Sequence, residues 1–225
     1  MEFLNKILKR KKRKRGNRNI EFYKRDLKSI KEKCKVLFID DEEFLFIDRL
    51  KTQDHWERID RISDLESMTQ PELVDAYIIF VDIYGVGKKM GFQNEGLGLM
   101  CAIKEKYPEK KVVMYSGESG GHVSAFEEAV NIVDRTLRKT ASQYEFSSLI
   151  EEFAVDAYSW NNCIKNIQKI LNDDFNTKYE FNEVEDIVSK LLEGPFEEKD
   201  IEKAFDIDIN LVGSIASILS LFSSL

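Results

Sequence analysis

Short runs of apolar residues, each ended by a polar or turn-forming residue, are the clearest pattern along this chain. The run at residues 76–81 is mostly β-branched or aromatic and is followed directly by the carboxylate of Asp82. Uninterrupted apolar runs of this length are typical of strands buried on both faces of a parallel sheet. Similar runs predict four further strands, at residues 36–39, 58–62, 110–116 and 133–137.

Amphipathic segments separate these runs and predict helices between the strands. The segment 97–107 places Leu97, Met100 and Ile103 on one face before Pro108 ends the helix. Strand and helix alternate about five times along the chain. This pattern predicts an α/β fold, a doubly wound five-stranded parallel sheet with helices on both faces.

A single long helix is predicted over residues 142–171, after the sheet. It opens with a capping box formed by Ser142 and Glu145, and an apolar stripe then continues to Leu171. That stripe is longer than a sheet of this size can cover. Its far half is expected to pack either on the C-terminal tail or on a second copy of the chain, which would make a homodimer through this helix.

The chain beyond residue 171 is predicted to form a small helical region. Residues 173–208 are acidic, with thirteen Asp/Glu against four Lys, and contain two short helices near 183–192 and 197–205. The last seventeen residues carry no charge. Seventeen residues is the lower limit of length for a helix that crosses a bilayer. A helix that packs on protein is favoured over one in lipid, although small-residue stripes also suit helix pairs in lipid. The stripe here consists of Gly213, Ser217, Ser220 and Ser224.

Charge is distributed unevenly over three predicted parts: a basic N-terminal segment (1–33), a sheet domain (34–153) and a helical C-terminal extension (154–225). Residues 1–18 carry nine Lys/Arg and one Glu, a balance of +8, so the net charge of −7 leaves −15 on the remainder. An acidic body argues against general nucleic-acid binding. Residues 1–18 are consistent with a solvated tail, with an amphipathic anchor on anionic membrane, or, third, with a local nucleic-acid contact.

The cysteines and histidines argue against several kinds of site. Cys34, Cys101 and Cys163 are widely spaced, which favours a reducing compartment without a disulfide framework. His55 and His122 have no ligand-like neighbours, so a zinc site is not expected. No signal-peptide pattern is present. We therefore expect a cytoplasmic protein, with membrane association as an alternative.

Charged and hydroxyl groups follow the predicted strands at the edge where ligands bind in such sheets. Asp40 and Asp41 follow the first strand and Asp82 ends the third, while Ser116 and Lys139 lie at the ends of the fourth and fifth. Three carboxylates in one crevice repel one another unless a cation lies among them, and a hard, oxygen-ligated ion such as Mg²⁺ suits them. With a hydroxyl and an ammonium group beside them they suit a phosphoryl group, for which an aspartate can be the nucleophile.

This ordered set resembles the receiver domain of two-component response regulators. The resemblance is carried by VLFIDDEE, IIFVD, VVMYSG and LRK, in this order, and covers about residues 34–153. The spacings also fit: 41 residues separate Asp41 from Asp82, 34 separate Asp82 from Ser116, and 23 separate Ser116 from Lys139. The resemblance implies a flavodoxin-like receiver fold and a phosphorelay signalling protein that is not an enzyme.

The resemblance also implies which residues handle the phosphoryl group. Asp82 would accept it from a histidine kinase or phosphotransfer protein. Ser116 would hydrogen-bond a phosphoryl oxygen, Gly117 would leave room for the group, and Lys139 would form an ion pair with it.

The same resemblance implies a metal site. Asp40, Asp41 and Asp82 would hold Mg²⁺ together with the backbone carbonyl of Tyr84. The side chain of Tyr84 is bulky and lies two residues after the phosphoacceptor. We hypothesise that it shields the acyl phosphate from water, so that the phosphate is held for long.

The chain departs from the family pattern in three places. The loop at residues 84–96 is longer than usual and lacks the usual proline. Thr140 follows Lys139 where the family usually has a proline, and Thr136 occupies the position of an aromatic residue that usually couples to the serine. The alternative function is therefore a receiver-like scaffold that takes no phosphoryl group and acts in assembly.

Other functions fit the sequence less well. A haloacid dehalogenase-type hydrolase would need the motif D-x-D, but Tyr84 occupies its third position. No phosphate-binding loop of the G-x-x-x-x-G-K-[ST] type is present. Because no DNA-reading module is recognisable after the sheet, we expect protein partners rather than nucleic acid.

Overall fold

The computed structural model describes residues 26–43, 46–117, 124–174, 178–207 and 209–219. The predictions for the basic segment 1–18, and for Ser220 and Ser224 of the small-residue stripe, lie outside the described residues.

The five predicted strands form one parallel sheet. Its order is β2-β1-β3-β4-β5, and every neighbouring pair is parallel. The order reverses between β1 and β3, as in flavodoxin-like doubly wound folds, so the predicted fold class is confirmed. The strands are β1 (Val36–Ile39), β2 (Ile59–Ile62), β3 (Ile78–Asp82), β4 (Lys111–Ser116) and β5 (Arg135–Arg138).

Helices cover both faces of the sheet, and each face has its own core. Apolar residues of α1, α2 and α6 pack on one face, around Phe38, Phe80 and Phe146. Residues of α3, α4 and α5 pack on the other, around Ile79 and Leu99. These helices are α1 (Leu27–Lys33), α2 (Phe46–Thr52), α3 (Pro71–Asp75), α4 (Glu95–Lys106), α5 (Ser124–Ile132) and α6 (Gln143–Ala157).

The prediction of one continuous helix over residues 142–171 is wrong, because the chain forms two helices there. Helix α6 ends at Ala157 and helix α7 (Trp160–Asp174) begins three residues later. The hydroxyl oxygen of Ser159 accepts a hydrogen bond from the backbone amide of Asn162 at 3.3 Å, which caps the new helix. The amide side chain of Asn162 donates to the carbonyl of Asp156 at 2.7 Å and so bonds to the last turn of α6.

The C-terminal tail covers the far half of the apolar stripe. Helices α8 (Phe181–Leu191), α9 (Glu198–Phe205) and α10 (Ile209–Leu219) pack with α7 around a third core. The stripe that suggested a homodimer is thus buried within the chain. The members of this core that are buried are Trp160, Cys163, Ile164, Ile167, Leu171, Val184, Val188, Ile201, Phe205, Ile207, Val212, Ile215 and Leu219.

Helix α10 packs in the bundle of α7–α10. This agrees with the favoured prediction, a helix that packs on protein. Its Val212, Ile215 and Leu219 are buried, while Gly213 and Ser214 are exposed. Among the described residues, no helix is both long enough and apolar enough to cross a membrane.

Only residues 206–208 separate α9 from α10. Asp206 ends α9 in the left-handed conformation, at φ 54° and ψ 49°. Ile207, next to it, is buried beside Phe205 in the third core. Both helices were predicted from the sequence, near 197–205 and from residue 209, but no helix-turn-helix module was recognised; such modules join their helices by three or four residues.

Candidate functional site

Strand geometry brings the carboxylates of Asp40 and Asp82 to one face of the sheet. Side chains alternate along a strand, and Phe38 and Phe80 stack on the α6 side with ring centroids 4.5 Å apart. Asp40 and Asp82 lie two residues further along, so their carboxylates project on that same side. Both are buried, with 1% and 6% of the residue exposed.

Asp41 joins these two carboxylates. One oxygen from each of Asp40, Asp41 and Asp82 lies within 4.8 Å of the others. Asp41 is exposed, and its carboxylate lies against Gly85, where a Cβ would be 2.2 Å from it. Gly85 also has a positive φ of 82°, a backbone conformation that favours glycine there.

The ammonium group of Lys139 bridges the two buried carboxylates. It lies 2.7 Å from Oδ2 of Asp82 and 2.9 Å from Oδ2 of Asp40. Three carboxylates and one ammonium leave the site with excess negative charge. This is the charge balance that favours a divalent cation.

The protonation equilibria of Asp82 and Lys139 reflect their burial and their contact. Burial raises the pKa of Asp82, against the hydrogen bond and charge of Lys139, which lower it. Partial burial disfavours the charged form of Lys139, but Asp82 and Asp40 outweigh it and raise the pKa of the ammonium. The pair therefore keeps a more basic carboxylate beside a cation.

Backbone groups fix the remaining oxygens of the two carboxylates. The amide of Ile83 donates to Oδ1 of Asp82 at 2.8 Å, and the amide of Glu42 donates to Oδ1 of Asp40 at 3.0 Å. Arg61, on β2, donates to the carbonyl oxygens of Asp40 and Glu42 at 2.6 and 3.0 Å. The segment after β1 is thereby held in place on two sides.

Ser116 lies at the end of β4 but on the other side of the sheet from Tyr115. It is 7% exposed and lines an open cleft of about 680 Å³ together with Ile83, Phe126 and Thr136. The carbonyl oxygen of Ser116 accepts a hydrogen bond from the amide of Lys139 at 2.9 Å. Thr136, at the position of the missing aromatic residue, is exposed.

Gly117 is next to Ser116 at the edge of the described chain. A Cβ built there would meet no described atom within 4 Å. The role of Gly117 that the resemblance implies stays a prediction.

The loop between β3 and α4 is tied down at both ends. At its start, the amide of Gly85 donates to Oε2 of Glu95 at 2.6 Å. Because N–H and C=O point in opposite directions in a trans peptide, this bond turns the carbonyl of Tyr84 away from Glu95. The side chain of Tyr84 is 52% exposed, and its proposed shielding role stays a prediction.

Asp64 holds the middle of the same loop. It is 7% exposed, and its carboxylate accepts from the amides of Leu65, Gly87 and Lys89. The Lys89 ammonium also lies 2.8 Å from Glu66. The long loop is thus connected to the segment after β2.

Gly96 shows how closely the start of α4 approaches the site. Its amide donates to the carbonyl of Ile83 at 3.0 Å, and a Cβ there would lie 1.8 Å from the carbonyl oxygen of Asp82. Only glycine fits at this position.

Sequence analysis missed three residues that shape the site: Tyr115, Asp64 and Glu95. The hydroxyl of Tyr115 donates to Oδ2 of Asp40 at 2.6 Å. A tyrosine in an apolar run gives no sign of a polar role. In the sheet, however, Tyr115 is the register partner of Asp82, so the two side chains project from the same face. Asp64 and Glu95 act through loop amides, which leave no pattern in a sequence.

The donors present fit Mg²⁺. Carboxylate oxygens are the ligands that this ion prefers, and it usually takes only one or two carboxylates besides other oxygens. Asp40, Asp41 and Asp82 offer three, one of them exposed. The geometry therefore supports a cation site that remains open to a further ligand.

Neither a family model nor a curated protein matches this chain. Solved structures to which it is similar include the signal receiver domain of an HD domain-containing protein from Pseudomonas fluorescens Pf-5. That domain is 16% identical, with 56% of this chain and 90% of that chain covered and a TM-score of 0.42.

Two further similar structures come from other bacteria. The receiver domain of NtrX from Brucella abortus is 23% identical, with 54% of this chain and 98% of that chain covered and a TM-score of 0.38. Full-length FixJ from B. japonicum is 14% identical, with 85% and 90% covered and a TM-score of 0.43. The strand order, rather than these similarities, identifies the fold.

Proposed function

We propose that this chain is a phosphorelay signalling protein of the response-regulator type, in which Asp82 accepts a phosphoryl group. The observation that carries the proposal is the contact of the Lys139 ammonium with both Asp82 and Asp40, next to the exposed Asp41. A buried carboxylate, a cation at 2.7 Å and two further carboxylates for a metal form a complete set for phosphoryl transfer.

Asp40, Asp41 and Asp82 would hold Mg²⁺, with the carbonyl of Tyr84 as a further ligand. The ion supplies positive charge that neutralises the phosphoryl oxygens during transfer. Burial and the hydrogen bond from the Glu42 amide fix the carboxylate of Asp40. The carboxylate of Asp41 is exposed, so its side chain can reorient when the ion binds.

Transfer needs no water and no further reactant. A carboxylate oxygen of Asp82 attacks phosphorus as the nitrogen–phosphorus bond of a phosphohistidine donor breaks, and the imidazole nitrogen leaves with the electron pair of that bond. The product is an acyl phosphate on Asp82. The raised pKa of Asp82 makes its oxygen a stronger nucleophile, and Lys139 keeps the carboxyl group ionised.

Lys139 and Ser116 act on the product. The Lys139 ammonium, already 2.7 Å from Asp82, would pair with a phosphoryl oxygen. The Ser116 hydroxyl would donate a hydrogen bond to another phosphoryl oxygen, and Gly117, which has no side chain, would leave room for the group.

The partners follow from this chemistry. A histidine kinase or phosphotransfer protein would supply the phosphoryl group, and the output would be a protein contact rather than turnover of a substrate, so we do not propose an enzyme. A cytoplasmic location suits such a partner and three cysteines that form no disulfide bond among the described residues. Contact of residues 1–18 with anionic membrane remains part of the alternative.

The test is phosphorylation by a small donor. Wild type incubated with Mg²⁺ and acetyl phosphate should gain the mass of one phosphoryl group, and Asp82→Asn should not. Asp134→Asn is a matched control, because Asp134 is a carboxylate that forms ion pairs with Lys104 of α4 and Lys111 of β4, away from the site. An unlabelled wild type, or label that persists in Asp82→Asn, would contradict the proposal.

One observation favours a second candidate, a receiver-like scaffold that takes no phosphoryl group. Thr136 is exposed where the coupling aromatic residue is usual, so that route from Ser116 to the surface is missing. The scaffold predicts that the acetyl phosphate experiment gives no label in wild type although Mg²⁺ still binds.

A further inference from the structure

Tyr115 combines complete burial with a polar contact in the candidate site. None of the residue is exposed, yet its hydroxyl donates to Oδ2 of Asp40 at 2.6 Å. A core tyrosine could place its hydroxyl at a backbone carbonyl or in solvent. Here it bonds to a carboxylate from another strand, 75 residues away in the chain.

Three aromatic rings fix where the hydroxyl lies. The ring of Tyr115 packs edge-to-face against Phe38, Phe80 and Phe146, with centroids 5.8, 5.9 and 6.3 Å apart. The interplanar angles are 88°, 86° and 88°. A ring held on three sides in a close-packed core has little freedom to turn, so its hydroxyl is a rigid donor.

The hydrogen bonds of Asp40 show what this donor does. A carboxylate has about four acceptor positions. Tyr115 and Lys139 both contact Oδ2, and the amide of Glu42 contacts Oδ1. With three positions in use, the orientation of the Asp40 carboxylate is determined, and Oδ1 keeps one position for a cation.

We propose that Tyr115 is a positioning residue whose hydroxyl holds the Asp40 carboxylate in the orientation that binds a divalent cation. The inference rests on the Mg²⁺ site of the proposed function, but not on phosphoryl transfer itself. Hydrogen-bond partners of metal ligands contribute strongly to metal affinity because they orient the ligand.

Tyr115→Phe removes the hydroxyl and retains the ring in its aromatic cluster. The dissociation constant for Mg²⁺, measured by isothermal titration calorimetry on the full chain, should rise about tenfold. In labelling with acetyl phosphate, the Mg²⁺ concentration for half-maximal rate should rise by the same factor. The rate at saturating Mg²⁺ should stay within about twofold of wild type, because only binding of the ion is affected.

Tyr107→Phe is the matched control. The hydroxyl of Tyr107 also forms a 2.6 Å hydrogen bond, but with the carbonyl of Met68, away from the acidic site. This variant should lower the melting temperature and leave the Mg²⁺ dissociation constant unchanged. A merely structural role for Tyr115 predicts the same behaviour for Tyr115→Phe.

Each result decides the inference. An unchanged Mg²⁺ dissociation constant in Tyr115→Phe, or an equal rise in Tyr107→Phe, overturns it. If acetyl phosphate labels no variant while Tyr115→Phe binds Mg²⁺ about tenfold more weakly, the inference stands and the proposed phosphoryl transfer fails. A wild type that binds no Mg²⁺ overturns the inference as well.

Discussion

The ammonium group of Lys139 lies between two carboxylates that burial has removed from water. Its side chain is 18% exposed, and those of Asp40 and Asp82 are 1% and 8% exposed. Breaking such a set by removing one member leaves charge buried without compensation, which costs more than the set itself contributes to stability. The site is therefore sensitive to any loss of positive charge.

Replacing Lys139 by methionine should lower the free energy of unfolding by about 3 kcal/mol in the absence of divalent ions. The reason is that Asp40 and Asp82 would then repel each other without a cation between them. Millimolar Mg²⁺ should recover part of the loss, because an ion that binds only the folded state stabilises it. Urea unfolding with and without Mg²⁺ measures both effects.

Lys169→Met is the control for this prediction. Lys169 forms an ion pair with Glu109 at 2.8 Å, but its side chain is 42% exposed, and exposed pairs contribute at most about 1 kcal/mol. Equal losses in the two variants would contradict the account of Lys139.

Single residues also show the limit of prediction from sequence. Asp40, Asp82 and Lys139 were predicted to meet because each follows a strand, and the ends of parallel strands share one edge. The sequence could not show which of the neighbours Tyr115 and Ser116 projects from the same face of the sheet as Asp82. A shift of one position along a strand exchanges the two faces, so the role of Tyr115 appeared only with the register.

Two helix starts illustrate the same limit for elements. Ser142 and Ser159 both cap helices, but only Ser142 was predicted, because Glu145 completes a capping box with it. Ser159 lies inside an apolar stripe that continues from Ala157 to Trp160 in helical spacing. Periodicity reports which residues are buried, and two consecutive helices that bury the same stripe give the same pattern as one.

Lys110 connects two elements at the opposite edge of the sheet. It is 7% exposed, and its ammonium donates to the carbonyl oxygens of Val74 and Ala76 at 2.6 Å each. These carbonyls belong to the C-terminal end of α3, where positive charge is favourable. Burial nevertheless lowers the pKa of Lys110 from 10.5 to about 8.

The stability contributed by Lys110 should rise with pH. Between pH 8 and 10.5 the unfolded chain binds this proton and the folded chain does not, so folding becomes more favourable as pH increases. Below pH 8 both states are protonated and the cost of burying the charge is fully present. The unfolding free energy of wild type should therefore increase relative to that of Lys110→Met as pH rises, by up to about 3 kcal/mol.

Denaturant unfolding of both proteins at several pH values from 7 to 10 measures this difference, in which the titration of other groups cancels. A difference that is constant with pH would show that Lys110 titrates as in the unfolded chain. If wild type instead lost stability relative to Lys110→Met as pH rises, the pKa of Lys110 would be raised by folding and not lowered.

The whole molecule combines an acidic body with two C-terminal helices, α9 and α10, that only three residues separate. Helix α10 contains no lysine or arginine, and the first turn of α9 carries Glu198 and Asp200. Binding to duplex DNA depends on neutralising phosphates with basic side chains. The charges of this pair therefore do not favour binding to duplex DNA.

Any binding of this chain to duplex DNA should depend on residues 1–18. Binding of the protein would raise the fluorescence anisotropy of a labelled duplex, and added salt would weaken that binding. Replacing the Lys and Arg residues at 9–15 by Gln should abolish this rise. Ser214→Glu, on the exposed side of α10, should change nothing. Binding that survives the Gln replacements and is lost in Ser214→Glu would identify α10 as a DNA-reading helix.

Three parts of the molecule were predicted to different depths from the sequence. The sheet was predicted strand by strand, because buried parallel strands are apolar throughout. The small bundle was predicted only as short helices, since its core joins residues as distant as Trp160 and Leu219, and no local pattern indicates which helices meet. The basic segment 1–18 was noticed by its charge and lies outside the described residues.

The separate cap at Ser159 has a consequence for how such a chain can change over generations. The buried residues of the third core belong to neither core of the sheet. A recombination event that joined a different set of helices at this serine would leave the carboxylates, Lys139 and Tyr115 with all their contacts. Lineages that share this site are therefore free to inherit it with unrelated C-terminal regions.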